Sequence, residues 1–239
     1  MKKLIIVRHG QSEWNAKNKF TGWVDSPLST KGKLEAKKAG KLIKELNIPL
    51  TYTFTSFLIR AKNTLEIILN VLKKKNIHLT ESWELNERHY GYLTGLNKKE
   101  TELEIGKKLF KKYRRSWNTA PPRILNNSIH LSSFSKLNYK IPLNKIPSTE
   151  SLQDTYKRVI PYFEKKIYPL IKKNDCILLV AHGNSLRALC KNLFKINNNK
   201  INNLEIPTGN PLLISFNKKF QIEEARYLDP ERKKPILSI

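Results

Sequence analysis

Two histidines in this chain of 239 residues close apolar runs in the same way. Leu4-Ile5-Ile6-Val7 ends in Arg8-His9-Gly10-Gln11-Ser12, and Cys176-Ile177-Leu178-Leu179-Val180-Ala181 ends in His182-Gly183-Asn184-Ser185. Such a pair, with Arg8 beside the first, suits phosphoryl transfer. That reaction asks the protein for a nucleophile in line with the leaving oxygen, for cations and for backbone donors. His9 is the natural nucleophile, because a neutral imidazole attacks phosphorus at pH 7 when its other nitrogen is held as an N–H donor. Arg8 and Arg60 supply planar forks for two phosphate oxygens, a geometry lysine cannot copy, and His182 supplies a third donor. Arg60 falls in the first turn of an expected helix, where the dipole disfavours a cation, so the position asks for a compensating anionic ligand.

The elements that must carry these residues follow from pattern. Four apolar residues in a row, three of them β-branched, suit a strand covered on both faces, with glycine allowing a tight turn after it. Both histidines then stand at the carboxyl ends of strands, where open α/β sheets place their ligands. Residues 16–28 read as a covering loop. Ser29 or Thr30 can cap a helix that starts near Gly32 and ends before Pro49, with Ala39, Leu42, Ile43 and Leu46 as its apolar stripe. Tyr52-Thr53-Phe54-Thr55 is a second strand, followed by Ser56 as a cap and a helix from Phe57 to about Lys74. Leu79–Leu85 reads as a strand, 97–118 as a basic helix, and 151–167 as an apolar-faced helix that Pro161 should kink or divide. A helix follows the second histidine, and 211–216 and 222–228 read as closing strands. The expected fold class is α/β, a three-layer arrangement with a mostly parallel sheet and helices on both faces. It is read as a single domain over 1–239, with an irregular insertion at about 119–148 and a short tail at 229–239.

Composition bounds the alternatives. Lys and Arg number 45 against 20 Asp and Glu, a net charge of +25 that would ordinarily prompt a nucleic-acid reading. The lysines run along the whole chain beside Asn and Ile instead of gathering in one tail or aromatic-interleaved patch, so they read as solvated helix faces whose field concentrates an anionic substrate. No apolar stretch approaches 18 residues and the N-terminus lacks a signal-peptide pattern, so a cytoplasmic enzyme without a membrane span is expected. Cys176 and Cys190 form no CxxC and read as packed hydrophobes. The histidines and carboxylates show no metal-ligand spacing.

Arg8-His9-Gly10 is the signature of the histidine phosphatase superfamily, and an ordered set of longer pieces resembles its cofactor-dependent phosphoglycerate mutase branch. The set is Arg8–Asn15, Phe20-Thr21-Gly22-Trp23, Leu85–Gly91, Gly95-Leu96-Asn97-Lys98, Arg114-Arg115, His182–Leu189 and Ile206-Pro207-Thr208-Gly209, and it spans residues 3–228. The resemblance implies interconversion of 2-phosphoglycerate and 3-phosphoglycerate, primed by 2,3-bisphosphoglycerate and without a metal. It implies phosphorylation at His9, with Arg8, Arg60 and His182 on the transferred group and Glu87 as general acid and base, a role that asks for a pKa raised toward neutrality. It places Arg88, Lys98, Arg114 and Arg115 on the substrate's carboxylate and second phosphate, and Ser12, Asn15, Thr21, Gly22, Tyr90, Gly183 and Asn184 around the same pocket. His89 reads as scaffold, and His78 and His130 as surface residues. The partners implied are small-molecule phosphoglycerates, with no nucleic acid and no membrane; a homodimer stays open.

Two stretches depart from the family pattern. Residues 123–145 lack the Tyr-Pro-Gly-His-Asp-Pro-like run expected there, and the tail after Leu228 is short and different. The rival readings are a hydrolase of the same superfamily, in which water attacks phospho-His9, and a nucleic-acid binder suggested by charge alone.

Overall fold

In the computed structural model, which describes residues 1–74, 76–125, 128–130 and 141–236, both histidine runs are neighbouring parallel strands. β1 (Lys2–Arg8) is followed by a single helical turn, α1 (Glu13–Ala16), and then by α2 (Thr30–Glu45). The chain continues through β2 (Tyr52–Thr55), α3 (Ile59–Val71), β3 (His78–Glu81) and α4 (Lys98–Arg115). Next come α5 (Leu152–Tyr162), α6 (Tyr168–Lys173), β4 (Cys176–Ala181), α7 (Gly183–Leu193), β5 (Leu212–Phe216) and β6 (Ile222–Tyr227). Among the described residues six strands form one sheet in the order β3-β2-β4-β1-β5-β6. β1, β2, β3 and β4 run parallel, while β5 and β6 close one side antiparallel.

Alternation along the central strands explains why their apolar runs are unbroken. Leu4, Ile6, Ile177 and Leu179 face a core completed by α5 and α7, whereas Ile5, Val7, Cys176, Leu178 and Val180 face a second core completed by α2 and α3. Each fully buried Ile, Leu or Val contributes about 1.5–3 kcal/mol relative to exposure, so this double burial fixes the strand register. Burial also pushes the Cys176 and Cys190 thiols up to about 12, and both are free.

Register is what brings the histidines together. β1 pairs β4 so that Arg8 lies opposite Ala181, and the His9 amide donates to the Ala181 carbonyl at 2.9 Å. The two residues that follow the strands therefore share one sheet edge. Gly10 turns the chain directly under α2, where a Cβ would lie 2.2 Å from the Gly32 carbonyl oxygen. No side chain fits there.

Several expected boundaries move. The strand expected at Leu79–Leu85 stops at Glu81, because its partner β2 ends opposite it at Thr55, and the chain turns into a 3₁₀ segment, Trp83–Leu85. The helix expected from Phe57 to Lys74 runs only over Ile59–Val71. Ser56 is not its cap: the Ile59 amide donates to Asp25 Oδ1 at 2.6 Å instead. α4 is shorter than expected and is broken at Gly106 (φ 77°, ψ 150°), a conformation open to glycine alone. After Pro161 the expected long helix passes through a π-helical turn, Phe163–Ile167, before α6. The segment expected as a covering loop follows directly on α1 and buries Phe20, Trp23 and Val24. Of the expected insertion, 126–127 and 131–140 lie outside the described residues, as do 237–239 of the tail. Among the described residues no helix is long and apolar enough to cross a membrane.

Candidate active site

The sheet edge after β1 and β4 holds a tightly bonded group. The ring centroids of His9 and His182 are 4.9 Å apart. His9 Nδ1 lies 2.6 Å from the Gly10 carbonyl oxygen, and Arg60 Nε donates to His9 Nε2 at 3.3 Å. Together these bonds set the tautomer: Nδ1 carries the proton and Nε2 presents its lone pair toward the guanidinium. Burial, with Arg60 and Arg8 nearby, holds His9 well below the usual histidine range, so the ring is neutral at pH 7. His182 is lowered in the same way by burial, Arg60 and His9. Its Nε2 is 2.6 Å from Ser56 Oγ, which also accepts from the Leu58 amide, and its buried Nδ1 has no partner.

Arg60 is placed from α3 by a loop that its own donors hold. Nη1 and Nη2 donate to the carbonyls of Val24 and Gly22 at 2.9 and 2.7 Å. Thr64, one turn on, donates to the Arg60 carbonyl and accepts from the Gly10 amide, so α3 and the turn after His9 are locked together. Burial lowers Arg60 to about 10, against the opposing pull of Glu87 and Asp25, and it remains charged. Arg8 Nη1 donates to the Ile206 carbonyl at 2.8 Å, while its buried Nε has no partner.

Beside this group lies a cleft of about 190 Å³, lined by Arg8, Glu87, Tyr90, Arg114, Arg115, Gly183 and Asn184 of the residues read from sequence, and also by Arg187, Glu205 and Lys234. Glu87 Oε1 accepts from the Arg88 and Asn184 amides at 2.8 and 3.0 Å, so the carboxylate bridges two walls. Asn184 Nδ2 donates to the Tyr90 hydroxyl at 3.1 Å. Burial raises the Tyr90 phenol, but the Arg88 and Arg114 guanidiniums outweigh it and leave the phenol below its ordinary value. Arg88 stands 4.7 Å over the Tyr90 ring and donates to the carbonyls of Tyr113 and Arg114, which fastens the end of α4. Lys98 donates to the Lys19 carbonyl at 2.7 Å. Burial pulls its pKa down, and it is not among the residues that line the cleft.

The remaining residues are less central. Ser12 and Asn15 satisfy each other as the capping box of α1, Gly22 serves through its carbonyl, and Thr21 Oγ1 is buried without a partner. None of the four lines the cleft. His89 is buried, lowered to about 3 by burial and Arg158, and accepts from the Gly91 amide. His78 is exposed, while His130, expected at the surface, is half-buried and edge-on to Trp14. Among the described residues no three His, Cys, Asp or Glu side chains converge to hold a metal ion.

The family model described as histidine phosphatase superfamily (branch 1) matches residues 4–131 and 129–224. A 2,3-bisphosphoglycerate-dependent phosphoglycerate mutase of Pelagibacter ubique is 49% identical over 237 residues, 99% of either chain. The chain belongs to the 2,3-bisphosphoglycerate-dependent mutases of the histidine phosphatase superfamily. Relatives of that name from Blochmanniella pennsylvanica and a Caulobacter strain are 46% and 43% identical, covering 95% and 100% of this chain and 98% and 100% of theirs. Among solved structures, mycobacterial glucosyl-3-phosphoglycerate phosphatase superposes with a TM-score of 0.70 at 21% identity, over 95% of this chain and 97% of that one. Bacillus stearothermophilus YhfR superposes with 0.68 at 20% identity, over 93% and 95%. At such identities these two speak for the superfamily fold.

Sequence reading passed over the residues that hold this mutase-family site from behind. Arg158 is paired at both ends with Glu150 and donates to the carbonyls of Glu84, Asn86 and Glu87. Trp23 Nε1 donates to the Glu87 carbonyl at 2.6 Å. Ser56, Arg187, Glu205 and Lys234 were also missed. Arg187 alone left a signal, lying inside the His182 motif three residues after Asn184.

Proposed function

We propose that this enzyme interconverts 2-phosphoglycerate and 3-phosphoglycerate through a phosphohistidine at His9. The observation that carries the reading is a buried, neutral imidazole whose Nδ1 is pinned to the Gly10 carbonyl and whose Nε2 faces Arg60, next to a cleft that Arg114, Arg115 and Arg187 help to line. The buried Arg8 Nε and Arg187 Nε donors without a hydrogen-bond partner fit a polyanionic ligand. The curated relatives, all named for the bisphosphoglycerate-dependent mutase, support the same reaction. 2,3-Bisphosphoglycerate, when bound, supplies the phosphoryl group that charges His9.

In the transfer from phospho-His9 to a monophosphoglycerate, Arg8, Arg60 and His182 hold the three equatorial oxygens while the N–P bond breaks and the new O–P bond forms. Glu87 takes the proton of the attacking hydroxyl, and on the return step gives it to the leaving alkoxide as His9 Nε2 accepts the other phosphoryl group. Lys98, Arg88, Arg114 and Arg115 grip the substrate's far anionic groups between the two steps and keep water from competing. The two free, buried cysteines are in keeping with a cytoplasmic enzyme.

The test follows 3-phosphoglycerate by a coupled enolase readout and by free-phosphate release, with and without catalytic 2,3-bisphosphoglycerate. We expect isomerisation that decays without primer, is restored by it and releases little phosphate. We also expect His9→Ala to lose an acid-labile, base-stable phosphoenzyme. Phosphate release matching 2-phosphoglycerate formation would make the enzyme a hydrolase of the same superfamily.

A further inference from the structure

Arg187, in the second turn of α7, is 3% exposed, yet among the described residues it makes no ion pair. Its three hydrogen bonds go to neutral oxygens on three different elements. Nη1 donates to Asn184 Oδ1 at 2.9 Å, and Nη2 to the Ile201 carbonyl at 2.7 Å and to the Arg115 carbonyl at 3.3 Å. Nε is buried without a partner, and the side chain lines the cleft.

Each bond has a consequence at the cleft. Asn184 has its oxygen taken by Arg187, so its amide nitrogen must turn the other way, and there it donates to the Tyr90 hydroxyl. The Arg115 backbone, the last residue of α4, is tied down from behind. Ile201 opens the 3₁₀ segment Ile201–Asn203, which leads into Glu205 on the same wall. One planar fork thus joins the elements that carry Asn184, Arg115 and Glu205, and an ammonium cannot span acceptors so arranged.

We propose that Arg187 is a positioning residue for the substrate's far anionic group, the carboxylate or phosphate that is not on His9, acting through Asn184 and Arg115 and adding a fixed positive charge behind them. The proposal rests on the mutase reading above. A buried guanidinium among cations is costly unless an anion joins it. Burial, with Arg115 and Arg88 nearby, lowers this one to about 9 against the opposing pull of Tyr90 and Glu87, so an anion in the cleft lowers the cost of its charge.

The test uses two ligands that report different ends of the site: 3-phosphoglycerate, which needs the far wall, and vanadate, which mimics the transferring group at His9. Equilibrium titration onto the unphosphorylated enzyme should show Arg187→Gln weakening 3-phosphoglycerate by about tenfold, the size of a lost hydrogen bond to a charged group, with vanadate affinity nearly unchanged. Arg187→Lys should fail to restore 3-phosphoglycerate affinity, and both variants should release a larger share of phosphate per turnover. In the wild-type enzyme the Arg187 Nε–H resonance should move on adding 3-phosphoglycerate and stay on adding vanadate, a reading independent of how the variants fold. Unchanged affinity for both ligands, equal loss of both, full rescue by lysine or a silent Nε–H resonance would each overturn the assignment. A wild-type enzyme that forms no phosphohistidine would instead overturn the mutase reading, and is scored separately.

Discussion

In the group beside the cleft, His9 is 2% exposed, Arg60 1% and His182 0%, and His9 Nδ1 and all three Arg60 nitrogens are spent on named protein atoms. At the opposite wall the Arg115 side chain is 26% exposed, Glu205 49% and Lys234 50%, joined by ion pairs of 3.0 and 3.8 Å. The first end is dry and set before substrate arrives, so its charges act at full strength on the phosphorus. The second is wetted and screened, and its ion pairs are cheap to exchange for a ligand. Chemistry belongs to the buried end and capture to the exposed one. Changes at the first should therefore appear in the rate of transfer, and changes at the second in KM.

The largest effect is expected at Glu87, which joins the buried end to the cleft. Glu87→Gln should slow phosphoryl transfer by about 10²–10⁴-fold, the usual range for general acid–base catalysis, because the amide cannot shuttle the proton yet keeps an oxygen for the Arg88 and Asn184 amides. Rapid-quench measurement of phosphohistidine turnover would read it directly, with 3-phosphoglycerate affinity as the control. Collapsed affinity with an unchanged saturated rate would move Glu87 to the capture side of the comparison.

The dry end should also cost stability as pH falls. His9, His89 and His182 are all lowered by burial, His89 to about 3, whereas in the unfolded chain each titrates near the ordinary value of about 6.5. Below that pH the unfolded state binds more protons, so the stability of the fold rises with pH. It is fully present above about pH 7 and is lost as pH falls through and below about 6.5, by up to about 1.4 kcal/mol per pH unit for each histidine. Urea midpoints at pH 7.5 and 5.5 would check this, and His182→Gln should flatten the slope by about one proton. A midpoint that does not move between these pH values would mean that the buried end is open enough to take up protons while folded.

The two ends also differ in how far they could be read from sequence. The histidines were legible because an unbroken apolar run has one structural meaning when both faces are covered, and because glycine marks the turn after each strand. Arg60 stood out as a cation against a helix dipole. Glu87 and the Arg114-Arg115 pair gave no such local signal and were found through family resemblance. Arg158, Glu150 and Ser56 have roles made entirely by tertiary contacts, nothing in the pattern of α5 distinguishes Arg158 from a surface arginine, and Arg187 was marked only by its place inside the His182 motif. The end of β3 at Glu81 is set by the length of its partner strand, a fact absent from its own residues. The break at Gly106 was missed because a glycine inside a helical pattern is often tolerated.

At the exposed wall, Arg115→Gln should raise KM for 3-phosphoglycerate by about five- to tenfold with a smaller change in kcat, and the difference from wild type should shrink at high salt as screening takes over. An Arg115 effect that is independent of salt and falls on kcat would place this residue with the buried group.

The smallest expected effect is at Glu205, and it bears most directly on whether the exposed wall works by exchange. Its carboxylate holds Arg115 Nη2 at 3.0 Å through Oε1 and Lys234 Nζ at 3.8 Å through Oε2, so two of the cations on that wall already have an anionic partner. A substrate carboxylate or phosphate must compete with it. Exposed pairs of this kind are worth about 0.2–1 kcal/mol, so removing the competitor should lower KM by no more than about two- to fivefold. Glu205→Gln keeps the shape and the hydrogen bond to Arg115 while removing the charge, and steady-state KM at low and moderate salt measures the outcome. A lowered KM supports exchange. A raised KM would mean that Glu205 holds Arg115 in its working position, and the wall would then be preorganised in the same manner as the His9 end, with exposure making its contacts weaker but no more exchangeable.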